Sequence, residues 1–458
     1  MISTVSVTAL VQVCLSKELS KRWDDLPVKH SGAAEHTINL RVGLKQDKLD
    51  ELIASLCEVS EPEYPKYGQH SSVEEINAPW PTHNGVYTVS AVRTFSKDWV
   101  SMSVSVAQTE AMLAACIPLT FISPGANIPI ELHFHIDVVA PTTNFPSTRS
   151  MRANSFRMKG LQSVEGSNDA VQYTCKQVIQ PSCLYTLCNT TGYTPKSAGK
   201  NKIAVAGYLE RYANHEYLQT VTKALGHSYN TDIMEAKTPY LYLEVRIYFD
   251  FLWALLTLVS DEANLDVQYV SSMAFPTPFT YYSTGGSPPF KPDAAIPTNS
   301  NERLTSLLLP ALSDDERSVP YGYATHVCDG FGARGVSILF FSGDFGVGAS
   351  TCKTNDGKGK TQFQPAFPAS CPNLTAIGAT TCLSPEVAAN FSGGGFSNCF
   401  AAPSQKTVTA EFVKSLGTKY SGLYNKTSRG HPDISAQGEE FLVIIGNQTG
   451  FIGGTSRA

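Results

Sequence analysis

No long run of one charge sign interrupts these 458 residues, and 35 Lys and Arg stand against 40 Asp and Glu for a formal charge of −5. A groove for nucleic acid needs a basic stripe, so a nucleic-acid partner is not expected. Long apolar runs are missing too. FLWALLTLVS, residues 251–260, follows Glu244, Arg246 and Asp250, and it offers about half of the roughly 20 apolar residues that a spanning helix needs. It reads as a buried segment, and no membrane association is expected. There is no P-loop, no GxGxxG and no internal repeat, so nothing supports nucleotide binding or a solenoid. Nor are the cysteines spaced as the CxxC pairs of a zinc site.

What is present points elsewhere. A chain of this length with 42% hydrophobic residues can bury two or three ordinary cores. Of eleven cysteines between Cys14 and Cys399, eight follow Cys116, and disulfides are their natural use, with the pairing open. Five sequons, at Asn189, Asn373, Asn390, Asn425 and Asn447, lie in the same half. Together these features favour a secreted, glycosylated protein. Residues 1–20 carry a weak signal-peptide pattern: ISTVSVTALVQVCLS is apolar, but no Lys or Arg precedes it and Ser and Thr interrupt it. Lys21-Arg22 is a second, weaker cleavage point.

Periodicity then divides the chain. TINLRVGL puts Ile38, Leu40, Val42 and Leu44 on one strand face, and DKLDELIASLCEVS puts Leu49, Leu52, Ile53 and Leu56 at helical spacing. More strand and helix signals follow around Trp99 and QTEAMLAA, so residues 36–145 read as an α+β module. The stretch 141–172 is polar and poor in periodic apolar positions, which makes it the best linker, drawn here as 146–172. From 173 to 458, short β-branched runs such as KIAVAGY and GVSILFFSG alternate with helix-compatible segments. That rhythm belongs to an α/β domain with a largely parallel sheet, where functional residues gather at strand C-termini.

Three stretches could carry chemistry. In SDEANLDVQY, Ser260 can cap a helix that stacks Glu262 and Asp266 on one face, four residues apart. The pair reads either as two solvated acids or as carboxyls sharing a proton. In ILFFSGDFGVG, Asp344 ends an apolar run, either as a plain turn acid or as a carboxyl presented at a strand end. In GGTS, Ser456 is a turn serine or a nucleophile. His133 and His135 would share a strand face, which admits a metal site but suits packing or pH sensing better.

The strings EANLDVQY, SGDFGVG, FSGGGFSN, PDISAQGEEF and GGTS, in that order, resemble those of the sedolisins, the serine-carboxyl peptidases, and most closely the fungal secreted tripeptidyl-peptidase type. EPEYPKYGQHSSVEEI and HFHIDVVAPTTNF resemble the activation prodomain of that family. The resemblance runs from about residue 36 to the last residue. It implies a subtilisin-like α/β catalytic domain, here incomplete at its C-terminus, behind an α+β activation prodomain that is cleaved within 146–172. By motif it makes Ser456 the nucleophile, Glu262 the general base, Asp266 the acid that orients it and Asp344 the oxyanion-hole acid. A carboxylic acid can donate to an oxyanion only while it keeps its proton, so such a site should work in acid. The resemblance further implies a monomeric zymogen acting on peptide and protein substrates, with its own prodomain as intramolecular inhibitor.

Three departures from the family pattern qualify this. Calcium is implied by the family, but its ligands fall beyond Ala458, so no metal site is expected on these residues. The approach to Glu262, residues 226–260, lacks the family's Gly-rich pattern, and 301–318 is short by a core strand. An incomplete gene model accounts for all three. Ser456 is therefore expected on a frayed terminus, and the chain is expected to be inactive as written. The alternative function is a catalytically dead fragment that binds or inhibits through its prodomain.

Overall fold

The computed structural model describes residues 35, 37–44, 49–72, 91–93, 99–113, 136–140, 162–163, 175–208, 213–224, 261–283, 329–348, 351–354, 359–401, 405–445 and 448–458. Two compact units emerge, one of residues 1–146 with 309–338, the other of 147–308 with 339–458. His133, His135, Ser260, Asn447 and the segments 226–260 and 301–318 lie outside the described residues.

In the first unit, β1 (Thr37–Leu44), α1 (Leu49–Ser60), β2 (Ala91–Arg93), β3 (Trp99–Ser105), α2 (Val106–Leu113) and β4 (Ile136–Ala140) follow in chain order. The strands form one antiparallel sheet in the order β2-β3-β1-β4. Alternation sets its register: Leu40 faces Met102 and Val42 faces Val100, and all four are buried. Slipping β1 by one residue would turn this whole set to the other side, so the pattern pins the pairing. α1 carries acids in its first turn, Asp50 and Glu51, which suits the positive end of the helix dipole.

The second unit is built on parallel pairs. β5 (Gln162–Ser163), α3 (Pro181–Leu187), β6 (Ile203–Gly207), α4 (His215–Ala224), α5 (Asp261–Ala274) and β7 (Phe279–Ser283) lead to β8 (Leu339–Phe341), β9 (Thr375–Thr381), β10 (Val387–Ala388) and β11 (Gly395–Ala401). After α6 (Lys406–Leu416) come β12 (Ser428–His431), β13 (Ile434–Gln437), β14 (Phe441–Ile445) and β15 (Gln448–Ile452). β6 pairs with β7, and both β8 and β13 pair with β9, each in parallel. The hairpin β14–β15 delivers the chain to its last residues.

Helix α5 is the hub. Leu265 packs with Ile179, Cys183, Phe441, Val443 and Ile452, whereas Ala263 and Val267 pack with Leu218, Phe279 and Tyr281. Burial on two sides leaves little of the helix to solvent, and its polar residues are tied accordingly. The Gln268 side-chain amide donates to the Ile444 carbonyl (2.8 Å) and accepts from the Ile444 N–H (3.1 Å), completing the edge of β14. The Tyr269 hydroxyl donates to the Ile179 carbonyl at 2.8 Å, and burial raises its pKa.

A disulfide joins Cys175 to Cys183. The disulfide reading does not extend to Cys57, Cys188, Cys352 and Cys382, which are not bridged. Four sequon asparagines, Asn189, Asn373, Asn390 and Asn425, are exposed. Among the described residues no helix is long and apolar enough to cross a membrane.

Candidate active site

The site begins at the C-terminal end of β8. Ser342 and Gly343 follow the strand, and Asp344 comes next, only 4% exposed. The glycine-rich loop 391–395 lies so close that a Cβ on Gly393 would fall 2.0 Å from the Ser342 carbonyl oxygen, which excludes any larger residue there.

Asp344 is fastened to the other end of the chain. Its Oδ1 accepts from the backbone N–H and from the hydroxyl of Thr455, each at 2.7 Å. The Thr455 Oγ1 in turn accepts from the Gly343 N–H at 3.1 Å. These bonds, with the Gly454 N–H donating to the Gly438 carbonyl (2.7 Å), hold Thr455–Arg457 in a short 3-10 turn. The sequence suggested a frayed terminus for Ser456; instead Thr455 is 1% and Arg457 8% exposed. The physical reason is that a buried carboxylate and a strand-end amide satisfy the turn's donors and acceptors, which a sequence motif does not reveal.

Ser456 lies between these two anchored neighbours. Its Oγ is buried and has no hydrogen-bond partner among the described residues. Among the described residues no base accepts a hydrogen bond from the candidate nucleophile.

On α5 the two acids fall where their spacing predicts, on one side of the helix. Burial raises the pKa of Asp266 well above the usual carboxylate range, and the negative charge of Glu262 raises it further. The Arg457 guanidinium acts in the opposite direction. The acid pair is thus within electrostatic reach of the turn that bears Ser456. The Asp344–Thr455 bonds join two of the three candidate stretches.

Thr455, Gly454 and Arg457 are the members that motif reading missed. Thr455 stands in the quoted GGTS, but nothing in that string says that its hydroxyl holds Asp344. Gly454 has φ +155°, and a Cβ there would lie 2.0 Å from Arg457 Nη1 and 3.0 Å from Asp344 Oδ2. Nη1 also donates to the Gly453 carbonyl. Among the described residues no group of three His, Cys, Asp or Glu side chains could hold a metal ion.

Residues 28–145 match the pro-kumamolisin activation domain. Tripeptidyl-peptidase SED2 of Arthroderma otae is 30% identical over 484 residues, which cover 93% of this chain and 77% of that protein. Tripeptidyl-peptidase sed4 of Aspergillus fumigatus is 30% identical over 92% of this chain and 76% of its own length. The chain belongs to the sedolisin family. It is a serine-type peptidase by that membership, and its fold class is the family's, an α/β catalytic domain behind an α+β activation domain. Among solved structures, a Pseudomonas sedolisin complexed with two molecules of pseudo-iodotyrostatin matches 62% of this chain and 77% of its own at 18% identity and a TM-score of 0.41.

Proposed function

We propose that this sedolisin is a secreted, glycosylated zymogen of an acid peptidase that releases tripeptides from the N-termini of peptides and proteins. It is not poised to react in the arrangement described. In this reading residues 36–145 are the activation domain and intramolecular inhibitor, 146–172 hold the maturation cleavage, and 173–458 form the catalytic part, acting as a monomer. The observation that carries the reading is the pair of bonds from Thr455 to Asp344 Oδ1, which brings the acid at the end of β8 to the serine-bearing turn.

The chemistry follows from these positions. Asp266, kept neutral by burial, can donate a hydrogen bond to Glu262 and leave Glu262 as the base even in acid. Glu262 takes the Ser456 proton as Oγ bonds to the scissile carbonyl carbon, and the carbonyl oxygen gains the negative charge. Because Thr455 occupies Asp344 Oδ1 as acceptor, a proton on that carboxyl sits on Oδ2, from which it can donate to the oxyanion. Glu262 then returns the proton to the departing amine, and water hydrolyses the acyl-enzyme. The buried, unbonded Ser456 Oγ is what supports inactivity here, since a misplacement of about 1 Å can cost roughly 10²-fold in rate.

The test is tripeptide release from an unblocked peptide by the protein brought to pH 4. Release should follow cleavage within 146–172, and it should be lost in Ser456→Ala, Glu262→Gln and Asp344→Asn, less so in Asp266→Asn. A folded protein that releases nothing but still binds peptidases through its activation domain would replace this reading with that of an inhibitory protein.

A further inference from the structure

Residues 309–338 follow the linker in the chain, yet they cluster with residues 1–146 in one compact unit, and the chain passes to the other unit at Leu339, the first residue of β8. Within the first unit, a helical turn at 329–333 and the glycine turn after it lie against the end of α1 and the loop that follows it. Three contacts define the fit. A Cβ on Gly332 would stand 2.6 Å from Leu56 Cδ1, so it is the bare backbone of the turn that lets the leucine lie on it. A Cβ on Gly335, where φ is +75°, would stand 2.5 Å from His70 Cδ2. Between these two contacts the Ser71 N–H donates to the Ala333 carbonyl at 2.9 Å, and Ala333 is fully buried. A side chain at either glycine would have to push the two surfaces apart.

The receiving surface is held by bonds of its own. The Glu61 N–H donates to the Cys57 carbonyl and the Gly68 N–H to the Val59 carbonyl, each at 3.0 Å, and Lys66 Nζ pairs with Glu58 at 2.7 Å. The loop 61–71 is thereby folded back on the end of α1 and presents His70 and Ser71 ready for contact. A surface fixed in this way loses little freedom when it binds.

We propose that Leu56, His70 and Ser71 form the docking face of the activation domain for residues 332–335, and that this contact keeps the domain attached after the chain is cut within 146–172. Such a cut severs residues 1–146 from the rest but leaves 332–335 on the catalytic fragment, so a contact within one chain becomes a contact between two. The gripped segment continues through β8 to Asp344. The activation domain therefore holds the lead-in to the acid at that strand end.

This inference rests on the reading of 36–145 as an activation domain, but its readout is retention of a fragment. A protein that keeps its fragment and releases no tripeptide would refute the peptidase reading and leave this one standing. The full chain, carrying a protease site inserted within 146–172, is cut at pH 7, and gel filtration at falling concentration gives the Kd of the severed activation fragment. The fragment should co-elute with the catalytic part, and Gly332→Leu should raise its Kd about tenfold or more. Leu56→Ala/Gly332→Leu, which moves the side chain from one surface to the other, should bind about threefold or more tighter than Gly332→Leu alone. Ala54→Asp, at an exposed position of α1, should leave the Kd unchanged. A fragment that separates at every concentration, a Gly332→Leu Kd equal to that of the native sequence, or an equal loss in Ala54→Asp would overturn the proposal. If Gly332→Leu does not fold, Leu56→Ala alone decides: a weaker Kd supports the docking face, and an unchanged one ends it.

Discussion

Two buried arginines of the catalytic unit make an instructive pair. Arg429 faces one carboxylate and is saturated: Nη1 and Nη2 reach Asp433 at 2.8 and 2.6 Å, while Nε and Nη2 donate to the Cys371 and Leu374 carbonyls, each at 3.2 Å. Asp433 also accepts from the Ala376 N–H (2.7 Å) and the Gln405 side chain (2.9 Å), so the group ties β12 and β13 to β9. Arg457 instead gives Nη1 to the Gly453 carbonyl, and its charge acts on Asp266. A cation with one bidentate partner and its remaining donors satisfied is a structural rivet.

The two clusters also respond to pH with opposite signs. Asp266 has a raised folded pKa, so its contribution to stability is full in acid and is lost as pH rises through that value. His431, beside the Arg429 pair, is lowered to about 3 by burial first and the Arg429 charge second, against a smaller opposing pull from Asp433. It must stay neutral in the fold. Its contribution is full above its ordinary pKa and is lost as pH falls from there toward about 3.

The largest test of this contrast is to remove the rivet. Arg429→Met should cost about 3 kcal/mol in urea unfolding at pH 7, since it removes the bidentate bonds to Asp433 and leaves the Cys371 and Leu374 carbonyls without their donor. A cost near zero would mean that water replaces those bonds, and the contrast would collapse. Next comes the titration. Between pH 7 and pH 4 the native chain should lose on the order of 3 kcal/mol through His431, and His431→Leu should lack that part of the slope. Gly454→Ala should cost about 1–3 kcal/mol, because its methyl would collide with the Arg457 guanidinium; pairing it with Arg457→Gln should recover part of the loss. Smallest is Thr455→Val, which removes the hydroxyl that bonds both Asp344 and Gly343 and should cost about 1–2 kcal/mol. Calorimetry near pH 6 would resolve it.

Much of the fold was legible because strands and helices are written locally. The period-two run at 37–44 is β1 and the helical spacing at 49–60 is α1, with apolar side chains falling on the faces that pair or pack. KIAVAGY holds β6 and GVSILFFSG holds β8, and FLVII forms β14. The acid pair on α5 was legible too, since a separation of four on a helix fixes a shared face. The strand β15 between that run and GGTS was not anticipated, because Gln448, Thr449 and Gly450 dilute its alternation and pairing with β14 supplies what propensity lacks.

By itself, then, the sequence determined the elements, the family resemblance and the acids that could share a proton, all of which depend on neighbours a few residues apart. Only the tertiary structure decided that Thr455 closes on Asp344, that Ser456 is held in an anchored turn, and that Arg457 is buried with its Nη1 on the Gly453 carbonyl. Those relations join segments far apart in the chain, where burial and charge act through space and no local pattern records them.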